Sequence, residues 1–212
     1  MATKANVTLV EGDMGSGKTN TAVATCVDKY KISVVQNRVS IRGHEKDIRE
    51  GKKPRDIVPV KKIFTNFTLY GVVYVKCNIA DMIRQLNNKL IKDAILVIDE
   101  TYIEADARRG MSQIALIMTW FGMQMRKRHI ELYIIVQHGR MLDWRFKFIA
   151  SQTIQCKYNE RTRKVSLLIQ EVKSGKSKTV SYNAAQYWKN FDTDELPEIP
   201  EKMIEAALAK VS

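Results

Sequence analysis

The chain has 212 residues, 45% of them hydrophobic, and carries 35 Lys and Arg against 23 Asp and Glu, a net charge of +12. That length and composition fit one globular α/β domain over residues 1–212, with a substantial core and little length left for a second. No apolar stretch is long enough to span a bilayer, no apolar leader is present and no Cys/His pair has metal-ligand spacing. The sequence therefore predicts no membrane insertion, no secretion and no zinc site.

Taken in chain order, Val7–Glu11 reads as a first strand and residues 18–31 as its helix. Residues 33–62, with Gly43, Gly51, Pro54 and Pro59 among many charges, read as a mobile basic surface excursion with a short hairpin at Ser33–Ile41. Lys62–Leu69 and Val72–Lys76 are β-rich. Asn78 is placed to cap a helix running to Leu90, with Ile79, Met82, Ile83, Leu86 and Leu90 on its buried face. The continuous apolar run Ala94–Ile98 predicts a strand buried on both faces of a parallel sheet. A helix over Ser112–Arg128, a second buried strand at Leu132–Val136 and a helical piece at Met141–Ile149 follow. Strands at Thr153–Lys157, Val165–Val172 and Thr179–Tyr182 end the sheet, the last two as a C-terminal hairpin turning at Gly175. Ala184–Lys189 and Glu201–Lys210 read as helical, inside an acidic C-terminal segment over 192–212. Cys26, Cys77 and Cys156 read as reduced, buried thiols.

Gly12-Asp13-Met14-Gly15-Ser16-Gly17-Lys18-Thr19 joins the first strand to the first helix, the context in which G-x-x-x-x-G-K-[ST] forms a phosphate cradle. The stretch Gly12–Asn20 is the predicted nucleotide-binding segment, with backbone N–H groups and the helix N-terminus facing the phosphates. Lys18 would reach the β- and γ-phosphates and Thr19 would hold Mg²⁺. Asp99 and Glu100 emerge from the end of the Ala94–Ile98 strand, where ligands of open parallel sheets bind. Asp99 is the predicted second Mg²⁺ residue and Glu100 the group that orients and deprotonates water. ATP and Mg²⁺ are thus the expected cofactors. Asn88-Lys89-Leu90-Ile91 lacks the final acid of a guanine-reading element. Gln137, ending an apolar strand, is either a γ-phosphate sensor or a plain strand-end residue. Met125-Arg126-Lys127-Arg128-His129 offers either an arginine finger or a basic helix terminus.

The basic residues are clustered. Arg38–Lys62 holds nine basic and four acidic side chains, Arg126–Lys164 ten and three, while Asp192–Glu205 has six acids and one lysine. Basic surfaces of this kind suit a polyanionic partner through phosphate neutralisation.

The set Gly12–Thr19, Ile95–Glu100 and Arg126–Gln137 resembles the FtsK–HerA superfamily of DNA-pumping P-loop ATPases. Members show an arginine-rich helix end, then an apolar strand ending in Gln. Leu142-Asp143-Trp144-Arg145 resembles a Leu-Asp-x-Arg stretch of viral and phage members, and Ile63–Asn66 and Phe191–Glu195 resemble elements of the zonula occludens toxin-like branch. Small size and the expected lack of an anchor point to the genome-packaging ATPases of turreted icosahedral archaeal viruses. The resemblance implies a RecA/FtsK-like P-loop NTPase fold whose mostly parallel central sheet is flanked by helices. It places the Gln137 strand between the first strand and the Asp99 strand, making Gln137 a sensor. It gives Arg126 the finger position, with Arg128 and Arg145 as rivals, and His129 stands where many members have glycine. A homo-hexameric ring on double-stranded DNA, a capsid or portal-vertex partner, and location in host cytoplasm or virion are further implications. The alternatives are a toxin-like phage assembly or secretion ATPase and a small-molecule P-loop kinase.

Overall fold

A computed structural model describes residues 7–99, 125–137 and 148–192. Eight strands, β1 (Val7–Glu11), β2 (Lys62–Thr65), β3 (Tyr74–Lys76), β4 (Ala94–Ile98), β5 (Glu131–Val136), β6 (Gln152–Asn159), β7 (Lys164–Glu171) and β8 (Ser177–Asn183), form one sheet in the order β3-β2-β4-β5-β1-β6-β7-β8. The strands from β3 to β6 pair in parallel, whereas β6–β7 and β7–β8 are antiparallel. The expected C-terminal hairpin is therefore the outer part of a three-stranded meander. β5 lies between β4 and β1, with Ile98 opposite Ile134 and Glu11 opposite Val136. This is the position the family resemblance implied for the Gln137 strand.

Helices α1 (Lys18–Arg49) and α2 (Ile79–Asn87) join these strands. Alternating strand residues sort the core into two layers, because side chains along a strand point to opposite faces. Val10, Ile95, Val97 and Ile135 pack with Val23 and Val27 of α1, while Leu9, Leu96, Ile98 and Ile134 pack with Met82 and Leu86 of α2. Asn78 caps α2 as expected, its side chain accepting from the Asp81 N–H at 2.8 Å. The helix stops at Asn87, two residues before the left-handed turn at Lys89 (φ 59°), so Leu90 is exposed and Ile91 fills the core instead.

The main departure from expectation lies in 33–62. Instead of stopping near Tyr30 and yielding a hairpin, α1 continues as a single helix of 32 residues, about 48 Å long. The five-residue strand β1 covers only about 17 Å of it. The second half of α1 is therefore an arm beyond the edge of the sheet where the parallel strands begin. The returning chain lies along this arm. Arg55 N–H donates to Asp47 Oδ2 (3.1 Å), Val58 N–H to Ser40 Oγ (3.0 Å) and Lys61 N–H to Ser33 Oγ (3.1 Å). The acceptors are seven residues apart on the helix and the donors three apart on the extended chain. Two helical turns rise about 10.5 Å and three extended residues about 9–10 Å, so the two repeats match in length. Asn37 adds a bond to the Val58 carbonyl (2.6 Å), and Arg55 pairs with Asp47 at 2.7 Å, holding that carboxyl down at about 2 through the guanidinium hydrogen bond.

Lys29 of α1 and Lys61 both bind the buried carboxylate of Glu131, the first residue of β5, and Tyr133 OH donates to the same group at 3.3 Å. Burial opposes charge on Glu131, but the two ammonium groups outweigh it and hold its pKa below the usual value. These contacts fasten the arm where it leaves the sheet.

Candidate nucleotide site

The loop after β1 is built for close approach. Gly17 is the N-cap of α1 at φ 86°, and a Cβ there would lie 2.8 Å from Val165 Cγ2 of β7. Gly12 admits no side chain either, since its Cβ would sit 2.4 Å from Ser16 Oγ and 2.7 Å from the Cys156 carbonyl. Lys18 Nζ reaches back over the loop to donate to the Asp13 carbonyl at 2.8 Å. Ser16 Oγ is buried with no hydrogen-bond partner among the described residues. A buried hydroxyl without a partner, in a glycine loop at a helix N-terminus, fits an anion with several acceptor oxygens.

Across the sheet, Thr19 Oγ1 donates to Asp99 Oδ2 at 2.7 Å, a contact between residues 80 positions apart. One hydroxyl and one carboxylate, both hard oxygen ligands, match the protein share of a Mg²⁺ shell that keeps several waters. Bound there, Mg²⁺ would neutralise charge on the β- and γ-phosphates. Gln137 follows β5 directly, and its carbonyl accepts from Gly12 N–H at 3.3 Å, which places it between the loop and the Asp99 strand. Glu100 lies outside the described residues, as do Leu142–Arg145 and the segment beyond Asp192.

Asn20 differs from the other loop residues. Its side chain is buried, donates to the Ala184 carbonyl at 3.2 Å and accepts from Tyr182 OH at 2.7 Å, so only its backbone faces the loop. Together with the Gly17–Val165 contact, this ties the start of α1 to the β6–β8 meander. An open cleft of about 850 Å³ lies on the other side of the loop, lined by Gly12, Met14, Gln155, Lys157, Tyr158 and Thr179.

The basic turn 126–128 sits elsewhere. It immediately precedes β5, at the edge opposite the loop, and β5 alone separates the two by about 20 Å. Arg128 donates to the Leu86 carbonyl at the end of α2, where a cation offsets the helix dipole. His129 adopts φ 55°, the left-handed conformation in which glycine is the easiest residue to place.

The sequence placed Asn66 in the Ile63–Asn66 element that resembles the toxin-like branch, without giving it a role at the site. Its Oδ1 accepts from Asp99 N–H at 2.9 Å and its Nδ2 donates to the Asp99 carbonyl at 3.0 Å. Beside that resemblance, the signal was its place directly after β2, the neighbour of β4.

No protein-family model and no curated protein sequence matches the chain. Among solved structures, it is similar to the N-terminal domain of zonular occludens toxin from Neisseria meningitidis, at 18% identity and TM-score 0.58, over 89% of this chain and 99% of that one. The fold is that of a P-loop NTPase. Also similar are the genome packaging NTPase B204 of Sulfolobus turreted icosahedral virus 2 in complex with ATP-gammaS (12% identity, TM-score 0.49, over 82% and 96% of the two chains) and the KaiC-like protein PH0186 of Pyrococcus horikoshii (15%, 0.47, over 84% of each). Among the described residues, no helix is long and apolar enough to cross a membrane and no acid, Cys or His cluster could hold a metal alone.

Proposed function

We propose that the chain is a Mg²⁺-dependent ATPase that moves double-stranded DNA, as a viral genome-packaging motor does. The observation that carries the ATPase reading is the 2.7 Å contact of Thr19 with Asp99, which unites the phosphate loop and the second carboxylate motif at one sheet edge. Lys18 moves from the Asp13 carbonyl to the terminal phosphates, Thr19 and Asp99 hold Mg²⁺, Glu100 draws a proton from the attacking water and Gln137 senses the γ-phosphate. Arg126, at the edge opposite its own loop, acts on a neighbouring subunit's nucleotide, which calls for a closed ring such as a hexamer. The DNA reading rests on charge. Arg38, Arg42 and Arg49 on the arm, Lys53 just past its end, and Arg161, Arg163 and Lys164 at the meander are exposed. Contacts of these groups to phosphates suit a motor that must accept any sequence.

Hydrolysis of Mg²⁺-ATP, stimulated by duplex DNA and lost in Lys18→Ala, is the expected result. DNA affinity should fall steeply with salt. Absence of ATP hydrolysis sinks the enzyme, whereas hydrolysis indifferent to DNA, with salt-independent DNA binding, sinks the motor. A second reading, an ATPase of phage assembly or secretion, draws on the resemblance of Ile63–Asn66 to the toxin-like branch and on the shared fold. It predicts preference for single-stranded over duplex DNA.

A further inference from the structure

We infer that Asn66 is a positioning residue that sets the metal-binding geometry of Asp99 by clamping its backbone; this rests on the Mg²⁺-ATPase reading above. β2 and β4 pair in parallel with Thr65 opposite Val97. Beyond that pair the side chain of Asn66 takes over from the β2 main chain, accepting from Asp99 N–H and donating to Asp99 C=O. One planar side chain thus fixes both polar groups of a single residue, so Asp99 cannot rotate about its backbone without breaking one of them.

The clamp lies where its effect is felt. Asp99 Oδ2 is 2.7 Å from Thr19 Oγ1, so a small rotation of the Asp99 backbone changes the distance between the two oxygens that share the cation. Mg²⁺ demands near-ideal octahedral geometry and tolerates such changes poorly. Asn66 itself bonds to neither the phosphate loop nor Thr19: its bonds are to the Asp99 main chain. A mutation there should therefore weaken the metal and leave metal-free nucleotide binding intact. The Asp99 carbonyl that Asn66 fixes also begins the peptide leading to Glu100, so the same amide bears on the direction in which the chain leaves β4.

The test is a comparison of wild type with Asn66→Ala and Asn66→Ser, the serine keeping a polar group too short to span both backbone atoms. Binding of Mn²⁺ to the protein–ATPγS complex is followed by loss of the free-ion electron spin resonance signal, and ATPγS binding is measured separately in EDTA. Outer-shell partners of a metal site are typically worth about 10–100-fold in affinity, so both variants should bind Mn²⁺ at least about tenfold more weakly. ATPγS affinity in EDTA should stay within about twofold. Unchanged Mn²⁺ affinity overturns the inference. So does an equal loss of nucleotide binding in EDTA, which would show that Asn66 only supports the fold. A wild type that binds Mn²⁺ and ATPγS yet never cleaves ATP removes the ATPase reading, and the resonance comparison still decides the clamp.

Discussion

Gly17→Ala separates two costs that the structure places at one residue. The backbone there has φ 86°, and forcing an L-residue into the left-handed region costs about 1–2 kcal/mol. The added Cβ would also lie 2.8 Å from Val165 Cγ2, closer than carbon atoms tolerate. Val165 is fully buried against α1, so relief requires a shift of β7 or of the loop, an overpacking cost of about 1–3 kcal/mol. The single substitution should destabilise by about 2–5 kcal/mol in all. Val165→Ala alone removes two methyl groups and leaves a small cavity, costing about 2–3 kcal/mol. In that background the steric cost disappears and Gly17→Ala should cost only about 1–2 kcal/mol, a coupling of about 1–3 kcal/mol between the sites. Urea unfolding of the four proteins without nucleotide measures the cycle. If Gly17→Ala costs the same in both backgrounds, Val165 does not hold the loop, and the tie between loop and meander is left to the Asn20 bonds.

Two further outcomes follow from the opposite edge. Glu131→Gln should destabilise by about 1.5–3 kcal/mol at pH 7, since the carboxylate accepts from Lys29 and Lys61. Its pKa is held below 4.5 in the folded chain, so this stabilisation is full above that pH and fades as pH falls through the lowered value; a wild-type advantage in unfolding midpoint that persists undiminished at pH 3 would refute the assignment. The arm buries Ser33, Ser40 and Asp47 and contributes nothing to the two apolar clusters, which α1 enters with residues 22–27. Amides of residues 34–48 should exchange with deuterium at least about tenfold faster than those of 22–27, and equal protection along α1 would show that arm and sheet open as one unit.

What the sequence revealed, and what it hid, follows from where each interaction resides. β4 and β5 are buried on both faces, and uninterrupted runs such as Ala94–Ile98 announce that condition directly. The phosphate loop is equally legible because its spacing encodes local backbone geometry. The arm is not. Ile32, Val34, Val35, Val39 and Ile41 favour strand by propensity, and the helix prevails through Ser33, Ser40 and Asp47, whose seven-residue spacing has meaning only beside residues 55–61. The role of Asn66 was hidden for a related reason. It binds the main chain of Asp99, and a main-chain partner leaves no residue type to recognise. The position of β5 between β1 and β4 came from the family resemblance and not from periodicity, which is blind to strand order.

The parallel strands also divide the chemistry by direction. Because β1, β4 and β5 all end at the same edge, Gly12, Asp99 and Gln137 converge there. Because they all begin at the other, Glu131, the 126–128 turn and the arm gather on the far side. Among the described elements, α1 alone carries a loop residue at one end and the arm at the other. Its first turn presents Thr19 to Asp99 and joins Asn20 to Tyr182, Lys29 fixes its middle to β5, and Asp47 ends it against Arg55. A continuous hydrogen-bonded helix does not change length, so any displacement of Thr19 along the axis would carry Lys29 and the arm with it and load the Lys29–Glu131 pair. The ion pair is the softer link, since both lysines that meet Glu131 are partly open to solvent. One continuous helix thus spans from the phosphate loop at one edge of the sheet to the exposed basic side chains of the arm beyond the other.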